Sequence, residues 1–346
     1  MKKIALTYDD IQLIPGFSRI SSRQKISLKT NLSKNYKLII PLVASPMDTV
    51  CEEEMAFRMF KMGGVGCIHR FMSIDDQVDQ IKNLCERVKN EVDSIWGSEI
   101  PPIMASIGVM SSDTHRATCL AEAGANVILI DVAHGHHQNV IDMIKWCKTN
   151  LPSHVDIIAG NIATSQAAID LEEAGADGLR VGIGGGSLCT TRIKTGFGIP
   201  NVTCLEEISE VAKTPVMADG GIRSSGDISK ALAVGADCVM LGSLLAGTQE
   251  SPGKIIEKSN SMGLYKRYRG AASLETKTVH GQATRNVEGE STIIPFKGGV
   301  KFIIEGITDG IKSALSYAGA EDLKQYHPDY IQVTNSGINE AKPHLL

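Results

Sequence analysis

Three times along this chain a helical stretch closes on glycine and an apolar run follows almost at once. The three segments are Glu122-Ala123-Gly124-Ala125-Asn126-Val127, Glu173-Ala174-Gly175-Ala176-Asp177-Gly178 and Val234-Gly235-Ala236-Asp237-Cys238. Glycine there supplies the left-handed cap that turns a chain out of a helix and back into a sheet. Apolar runs as long as a buried parallel strand recur in the same register, at 39–43, 65–68, 103–106, 127–131, 156–159, 178–181, 215–219 and 238–241. Helical patterns at 52–62, 74–88, 113–123, 139–148, 165–173 and 227–233 lie between them. Eight such units predict an α/β fold, a closed (β/α)8 TIM barrel with no edge strand. A doubly wound open sheet is the alternative, and it would need an edge strand richer in charge or proline than any here.

The 346 residues exceed the usual single-domain size, but barrels of this kind reach that length, so residues 1–346 are expected to form one barrel domain. The first 35 residues and the tail after Asp322 are expected on its outside or rim. A formal charge of -4 and the lack of a long basic run argue against nucleic acid as a partner. The sequence has no signal peptide and no eighteen-residue apolar span, which argues against a membrane. The eight cysteines are scattered, without a CxxC pair, as suits reduced thiols in a cytoplasmic protein.

Polar residues gather just past the ends of the expected strands, where a barrel places its chemistry: 45–48, His69-Arg70, 131–134, Gly160-Asn161, 184–189, 219–221 and Gly242-Ser243. Residues 182–191, Gly-Ile-Gly-Gly-Gly-Ser-Leu-Cys-Thr-Thr, carry Cys189 just beyond a glycine-rich turn that can wrap an anion. A thiol beside such backbone dipoles is placed to act as a nucleophile, or it is a small buried core residue. His134-Gly135-His136-His137 invites a zinc reading, but no nearby cysteine or carboxylate completes a set, and a rim loop is the plainer account. The stretch 250–300 is long for a barrel connection and gathers Lys277, His280, Gln282, Thr284, Arg285, Asn286, Glu288 and Glu290. It reads as a flap over a ligand, or as an excursion that stabilises an oligomer.

At Cys189 the sequence resembles the active-site loop of the IMP dehydrogenase and GMP reductase family, through 182–191 and the following Arg192-Ile193-Lys194-Thr195-Gly196-Phe197-Gly198. The resemblance covers nearly the whole chain. It takes in Leu6-Thr7-Tyr8-Asp9-Asp10, Ser45-Pro46-Met47-Asp48-Thr49-Val50, Ile68-His69-Arg70-Phe71 and Asp131-Val132-Ala133-His134-Gly135-His136. It continues through Ala159-Gly160-Asn161, Asp219-Gly220-Gly221-Ile222-Arg223 and Leu241-Gly242-Ser243-Leu244-Leu245-Ala246-Gly247. It implies a barrel, usually a homotetramer, that binds a purine 5'-monophosphate and a nicotinamide cofactor.

Within the family, three features are similar to the reductases: Lys194-Thr195-Gly196-Phe197-Gly198, a short flap closing in Arg285-Asn286-Val287-Glu288-Gly289, and the lack of room for CBS modules between the second helix and third strand. Nothing between Ala272 and Glu290 supplies the Arg-Tyr pair with which dehydrogenases activate water; Arg267-Tyr268 matches the stretch before the flap. The segments 219–223 and 241–247 are dehydrogenase-like, though one bacterial reductase branch shares them. The resemblance thus implies conversion of GMP and NADPH, with two protons, to IMP, ammonium and NADP⁺. An IMP dehydrogenase without CBS modules and a non-catalytic purine-nucleotide-binding barrel stay open as alternatives.

The resemblance also implies roles for individual residues. Cys189 adds to the purine, and Thr191 with Glu288 relays protons. Ser45, Asp131, Asn161, Ser187, Asp219, Gly220, Gly221, Gly242, Ser243, Tyr268 and Gly270 hold the nucleotide. Within that set Asp219 takes the ribose hydroxyls, and Ser187, the Gly221 and Gly242 N–H groups, Ser243 and Tyr268 take the phosphate. Met47, Arg70, Asp131, Ala133, Lys194 and Arg285 face the cofactor. Carbonyls of Gly184, Gly186 and Cys189 offer ligands to a monovalent cation such as K⁺.

Overall fold

The eight strands that close on one another here are short, parallel and almost wholly buried, so their sequences are continuous apolar runs with no alternation. They are β1 (Leu42–Ala44), β2 (Val65–Ile68), β3 (Met104–Ile107), β4 (Val127–Asp131), β5 (Asp156–Ile162), β6 (Gly178–Val181), β7 (Val216–Asp219) and β8 (Cys238–Leu241). The last strand pairs with the first, Val239 opposite Leu42 and Leu241 opposite Ala44, which closes the barrel and excludes an open sheet. The computed structural model describes residues 4–91, 95–257, 263–279 and 287–340, with the backbone alone at Lys277, Val279 and Ile338.

Helices α1 (Glu53–Lys61), α2 (Ile74–Lys89), α3 (Ser111–Glu122), α4 (Gln138–Asn150) and α5 (Ser165–Glu173) cover the barrel. The short α6 (Thr191–Thr195) starts at the C-terminal mouth, and α7 (Asn201–Ser209) and α8 (Ser225–Ala233) continue the ring. Side-chain caps start several of them: Ser73 accepts from the Asp76 N–H, Thr164 from Ala167 and Ser224 from Asp227. The repeated glycines end three of them, Gly124, Gly175 and Gly235 having φ of 111°, 107° and 105°.

The repeat has a second function. Two residues after each of these glycines, Asn126, Asp177 and Asp237 accept the N–H of Ile103, Ile157 and Val216 at 2.7, 2.9 and 2.8 Å. One side chain per repeat therefore satisfies a backbone donor at the entry to the preceding strand. Burial pushes the Asp237 carboxyl up, and the bond from Val216 opposes that shift.

The chain outside the barrel differs in part from the sequence expectation. Ile11–Leu13 pairs antiparallel with Tyr330–Gln332 along the outside, joining the two terminal segments. Residues 33–35 plug the end opposite the site: the Ser33 hydroxyl and both the Asn35 backbone and side-chain N–H groups donate to the buried Asp156 carboxylate. Tyr8, 2% exposed, reaches the other end. The stretch 250–300 contains a three-stranded antiparallel sheet, β9 (Ile256–Glu257), β10 (Leu264–Arg269) and β11 (Ser291–Pro295), and a short helix α9 (Leu274–Val279). The long helix α10 (Val300–Ala318) then packs against α8. Among the described residues no helix is long and apolar enough to cross a membrane.

Candidate active site

Strand β6 delivers the chain to the C-terminal mouth of the barrel, and glycine decides where it goes next. Gly182 has φ +135°, and a Cβ there would lie 2.0 Å from the Asp219 carbonyl oxygen at the end of β7. Only glycine lets the loop cross so close to its neighbour. The Gly221 N–H then donates to the Gly185 carbonyl at 2.7 Å, which ties the loop after β6 to the loop after β7. The Gly221 donor, expected to face a phosphate, is thus engaged between the two loops. The Asn201 side-chain amide supports them from behind, donating to the Gly220 carbonyl.

The glycine loop ends at Cys189, partly buried at the start of α6. Its thiol donates to Thr191 Oγ1 at 3.1 Å, and the Thr191 hydroxyl donates to Glu288 Oε2 at 2.7 Å. A sulfur, a hydroxyl and a carboxylate so connected form a path along which a proton can move. Glu288 is held there by main-chain bonds. The Thr190 N–H donates to the Glu288 carbonyl at 2.9 Å and the Glu290 N–H to the Leu188 carbonyl at 3.0 Å. On its other side the Glu288 N–H reaches the Ala272 carbonyl at 3.1 Å, and Gly270 donates to Glu290 at 2.9 Å. Residues 287–290 therefore lie between the glycine-rich loop that carries Cys189 and the segment after β10.

Across the mouth stands a charged cluster built around Arg180. Its side chain is 8% exposed and bridges Asp131 of β4 and Asp219 of β7, reaching Asp219 Oδ2 at 3.0 Å. Burial works against the guanidinium charge, but Asp219 and Asp131 outweigh it, and its pKa is raised. Asn161 adds a bond of 2.7 Å to the same Asp219 oxygen, and Arg70 donates to the Asp131 carbonyl at 3.2 Å. Arg70 Nε is buried and has no hydrogen-bond partner among the described residues. At the opposite end of the mouth the Ser187 and Tyr268 hydroxyls lie 3.1 Å apart. Burial pushes the Tyr268 phenol up, so it stays a neutral hydroxyl that can donate.

These groups face one cavity of about 410 Å³. Of the residues singled out from the sequence, it brings together Ser45, Met47, Arg70, Asp131, Ala133, Asn161, Gly184, Gly186, Ser187, Cys189, Thr191, Asp219, Gly220, Gly221, Gly242, Ser243, Tyr268, Gly270 and Glu288. Lys194 is not among its lining residues: its ammonium donates to the Val287 carbonyl at 2.6 Å. Arg285, with His280, Gln282, Thr284 and Asn286, lies outside the described residues. Arg180 is the residue that sequence reasoning missed, although a charge within the apolar run Gly178-Leu179-Arg180-Val181 is itself a signal, since a fully buried charge is rare unless paired.

Two histidines of the 134–137 loop have partners within the protein. His136 Nε2 lies 2.7 Å from Asp170 Oδ2, and His137 Nδ1 accepts the Asn139 N–H at the start of α4. Among the described residues no three His, Cys, Asp or Glu side chains converge as a metal site. For a monovalent cation, Gly184, Gly186 and Cys189 offer carbonyl oxygens, of which that of Gly186 already accepts the Cys189 N–H at 3.1 Å and keeps a second lone pair.

Comparison with known proteins agrees with this architecture. The IMP dehydrogenase / GMP reductase domain family matches residues 5–344. The chain is 40% identical over 332 residues to a GMP reductase of Streptococcus pyogenes, with 95% of each chain covered. It is 36% identical over 392 residues to an inosine-5'-monophosphate dehydrogenase of Cryptosporidium parvum, covering 98% of this chain and 94% of that one. A solved structure of GMP reductase from Trypanosoma brucei in complex with guanosine 5'-monophosphate has a TM-score of 0.92 at 30% identity, covering 99% of this chain and 98% of that one.

Proposed function

Because the chain belongs to the IMP dehydrogenase / GMP reductase family, we propose that it is a GMP reductase, using NADPH to convert GMP to IMP and ammonia. The observation that carries this reading is the continuous path from Cys189 Sγ through Thr191 Oγ1 to Glu288 Oε2. Removing an amine from carbon 2 of guanine needs a nucleophile to add there and an acid to protonate the leaving nitrogen. The path supplies both from one hydrogen-bonded chain.

In this mechanism the Cys189 proton passes to Thr191 and Glu288 as the sulfur bonds to carbon 2. The carbon–nitrogen bond breaks, and Thr191 hands the amine a proton drawn from Glu288, so that it leaves as ammonia and takes up a further proton from water. Met47, Arg70, Asp131 and Ala133 would hold a dihydronicotinamide, which would supply hydride to carbon 2. The carbon–sulfur bond then breaks, and Cys189 is released as thiolate. Asp219 accepts the ribose hydroxyls; its Oδ2 is held by Arg180 and Asn161, which orients the other oxygen. Ser187, Gly242, Ser243 and Tyr268 take the phosphate, with Gly220, Gly221 and Gly270 shaping the wall, while Ser45, Asp131 and Asn161 orient the base.

The nicotinamide fits the side lined by Met47, Arg70, Asp131 and Ala133, where the buried Arg70 Nε, 3.9 Å from Asp131 Oδ2, has no hydrogen-bond partner among the described residues. Lys194 and Arg285 are the cations that would meet a cofactor phosphate, which favours NADPH over NADH. A K⁺ ion would take carbonyls of the 184–189 loop. A cytoplasmic homotetramer suits the family, and all eight cysteines are free thiols.

The similarity to a dehydrogenase at 36% identity supports a second reading, oxidation of IMP with NAD⁺. Purified protein offered each substrate pair separates them. Loss of the dihydronicotinamide absorbance with GMP, matched by ammonium release, is expected. A gain of that absorbance with IMP and NAD⁺ would establish the dehydrogenase, and no change in either would leave a nucleotide-binding barrel.

A further inference from the structure

We propose that Lys194 is a positioning residue: it latches the returning strand of the flap onto α6 and so sets the Glu288 carboxylate on Thr191. This inference rests on the relay described above and assigns its precision to a residue outside the cavity.

Thr191 and Lys194 are three residues apart in α6, and side chains at that spacing stand on the same face of a helix. That face grips one short piece of chain twice. The Thr191 hydroxyl holds the Glu288 carboxylate at 2.7 Å, and the Lys194 ammonium holds the Val287 carbonyl at 2.6 Å. The Val287 carbonyl belongs to the peptide unit whose nitrogen is that of Glu288, and this N–H donates to the Ala272 carbonyl at 3.1 Å. Lys194 therefore fixes the oxygen end of a peptide plane whose nitrogen end is already fixed. The next carbonyl, that of Glu288, is held by the Thr190 N–H at 2.9 Å. With both flanking peptides pinned, the Glu288 side chain has only its own rotamers left to choose.

Without Lys194, Val287 loses the only hydrogen bond to its carbonyl among the described residues, and the peptide can rotate away from α6. The Thr190 to Glu288 and Glu290 to Leu188 bonds are next in line to open. A hydrogen bond to a charged group is the stronger kind, so the loss should be visible despite solvent exposure. The latch uses one of three ammonium donors, so the same residue retains two for a cofactor phosphate.

The test compares the full chain with Lys194→Met, which keeps the stem and removes the donor, and Lys194→Arg, which restores one. Hydrogen exchange read by mass spectrometry without nucleotide should be about tenfold faster at the Thr190 and Glu290 amides in Lys194→Met, and close to wild type in Lys194→Arg. Amides of β4 and β5 should not change in either variant. In turnover, Lys194→Met should lower kcat for GMP-dependent NADPH oxidation about tenfold, with Lys194→Arg recovering most of it. Unchanged exchange at Thr190 and Glu290 would overturn the latch, including the case in which only the KM for NADPH rises. If the wild-type protein does not turn over GMP, the functional reading fails, while the exchange comparison still decides the latch.

Discussion

At the scale of single residues, some ionisable groups of the cavity are held by one partner and others by several. Glu288 is tied to Cys189 through one hydroxyl, so Glu288→Gln keeps the shape and removes the oxygen that would take up and return the proton. Its kcat for ammonia release should fall by roughly 10²- to 10⁴-fold with GMP affinity nearly unchanged, measured by ammonium assay beside equilibrium binding. Wild-type ammonia release in that variant would remove Glu288 from the relay. Arg180 is the opposite case, a charge that touches two carboxylates of the cavity wall. Arg180→Met leaves Asp131 and Asp219 facing each other, with side chains 13% and 21% exposed. Breaking such a pair costs roughly 3 kcal/mol, at the lower end because the carboxylates retain some water. Scanning calorimetry should register that loss as a lower Tm, and GMP affinity should drop with it because Asp219 is no longer held. Cys189, Thr191 and Glu288 were legible in the sequence through their motif. Arg180 was not, because it sits inside an apolar run that reads as a buried strand.

At the scale of elements, the barrel units were readable because each strand is buried on both faces and each helix announces its end. The expected strands at 65–68, 127–131, 178–181 and 238–241 coincide with β2, β4, β6 and β8. The sheet of β9, β10 and β11 was hidden for a physical reason. In Leu264–Arg269 the buried positions are Lys266 and Tyr268, so the inward face reads as polar. Lys266 is tolerated because its ammonium donates to the Thr248 and Ser251 carbonyls, while burial lowers its pKa. The repeat gives a sharper prediction. Asp237→Ala orphans the buried Val216 N–H and should cost roughly 1–3 kcal/mol in denaturant unfolding. Asp237→Asn should cost well under that, because Asn126 already does the same work in the first repeat. The sign of the pH effect follows from the raised Asp237 pKa. Stability from the protonated carboxyl is present at low pH and lost as pH rises through the folded-state value. Asp237→Asn should therefore gain on wild type as the pH moves from acid to neutral, and a pH-independent difference would contradict the assignment.

At the scale of the whole molecule, one cavity at the C-terminal mouth unites loops that are far apart in sequence, from Ser45 to Glu288. Closure of the barrel brings β8 beside β1, and residues 287–290 bond to the segment before α6, with Glu288 and Gly289 lining the wall. Gly182 is the joint on which this depends. Gly182→Ala would push a methyl against the Asp219 carbonyl and separate the loops that carry Cys189 and Gly221. That variant should lose turnover by at least tenfold while its far-ultraviolet circular dichroism stays that of a barrel. The central claim is that the Cys189 sulfur bonds to the purine during turnover. It is tested most directly by quenching the enzyme in acid while it converts GMP, digesting it, and weighing the peptide that carries Cys189. A purine nucleotide attached at Cys189, absent from the Cys189→Ala variant, is the result predicted here. Steady conversion of GMP with Cys189 unmodified at every time point would contradict it.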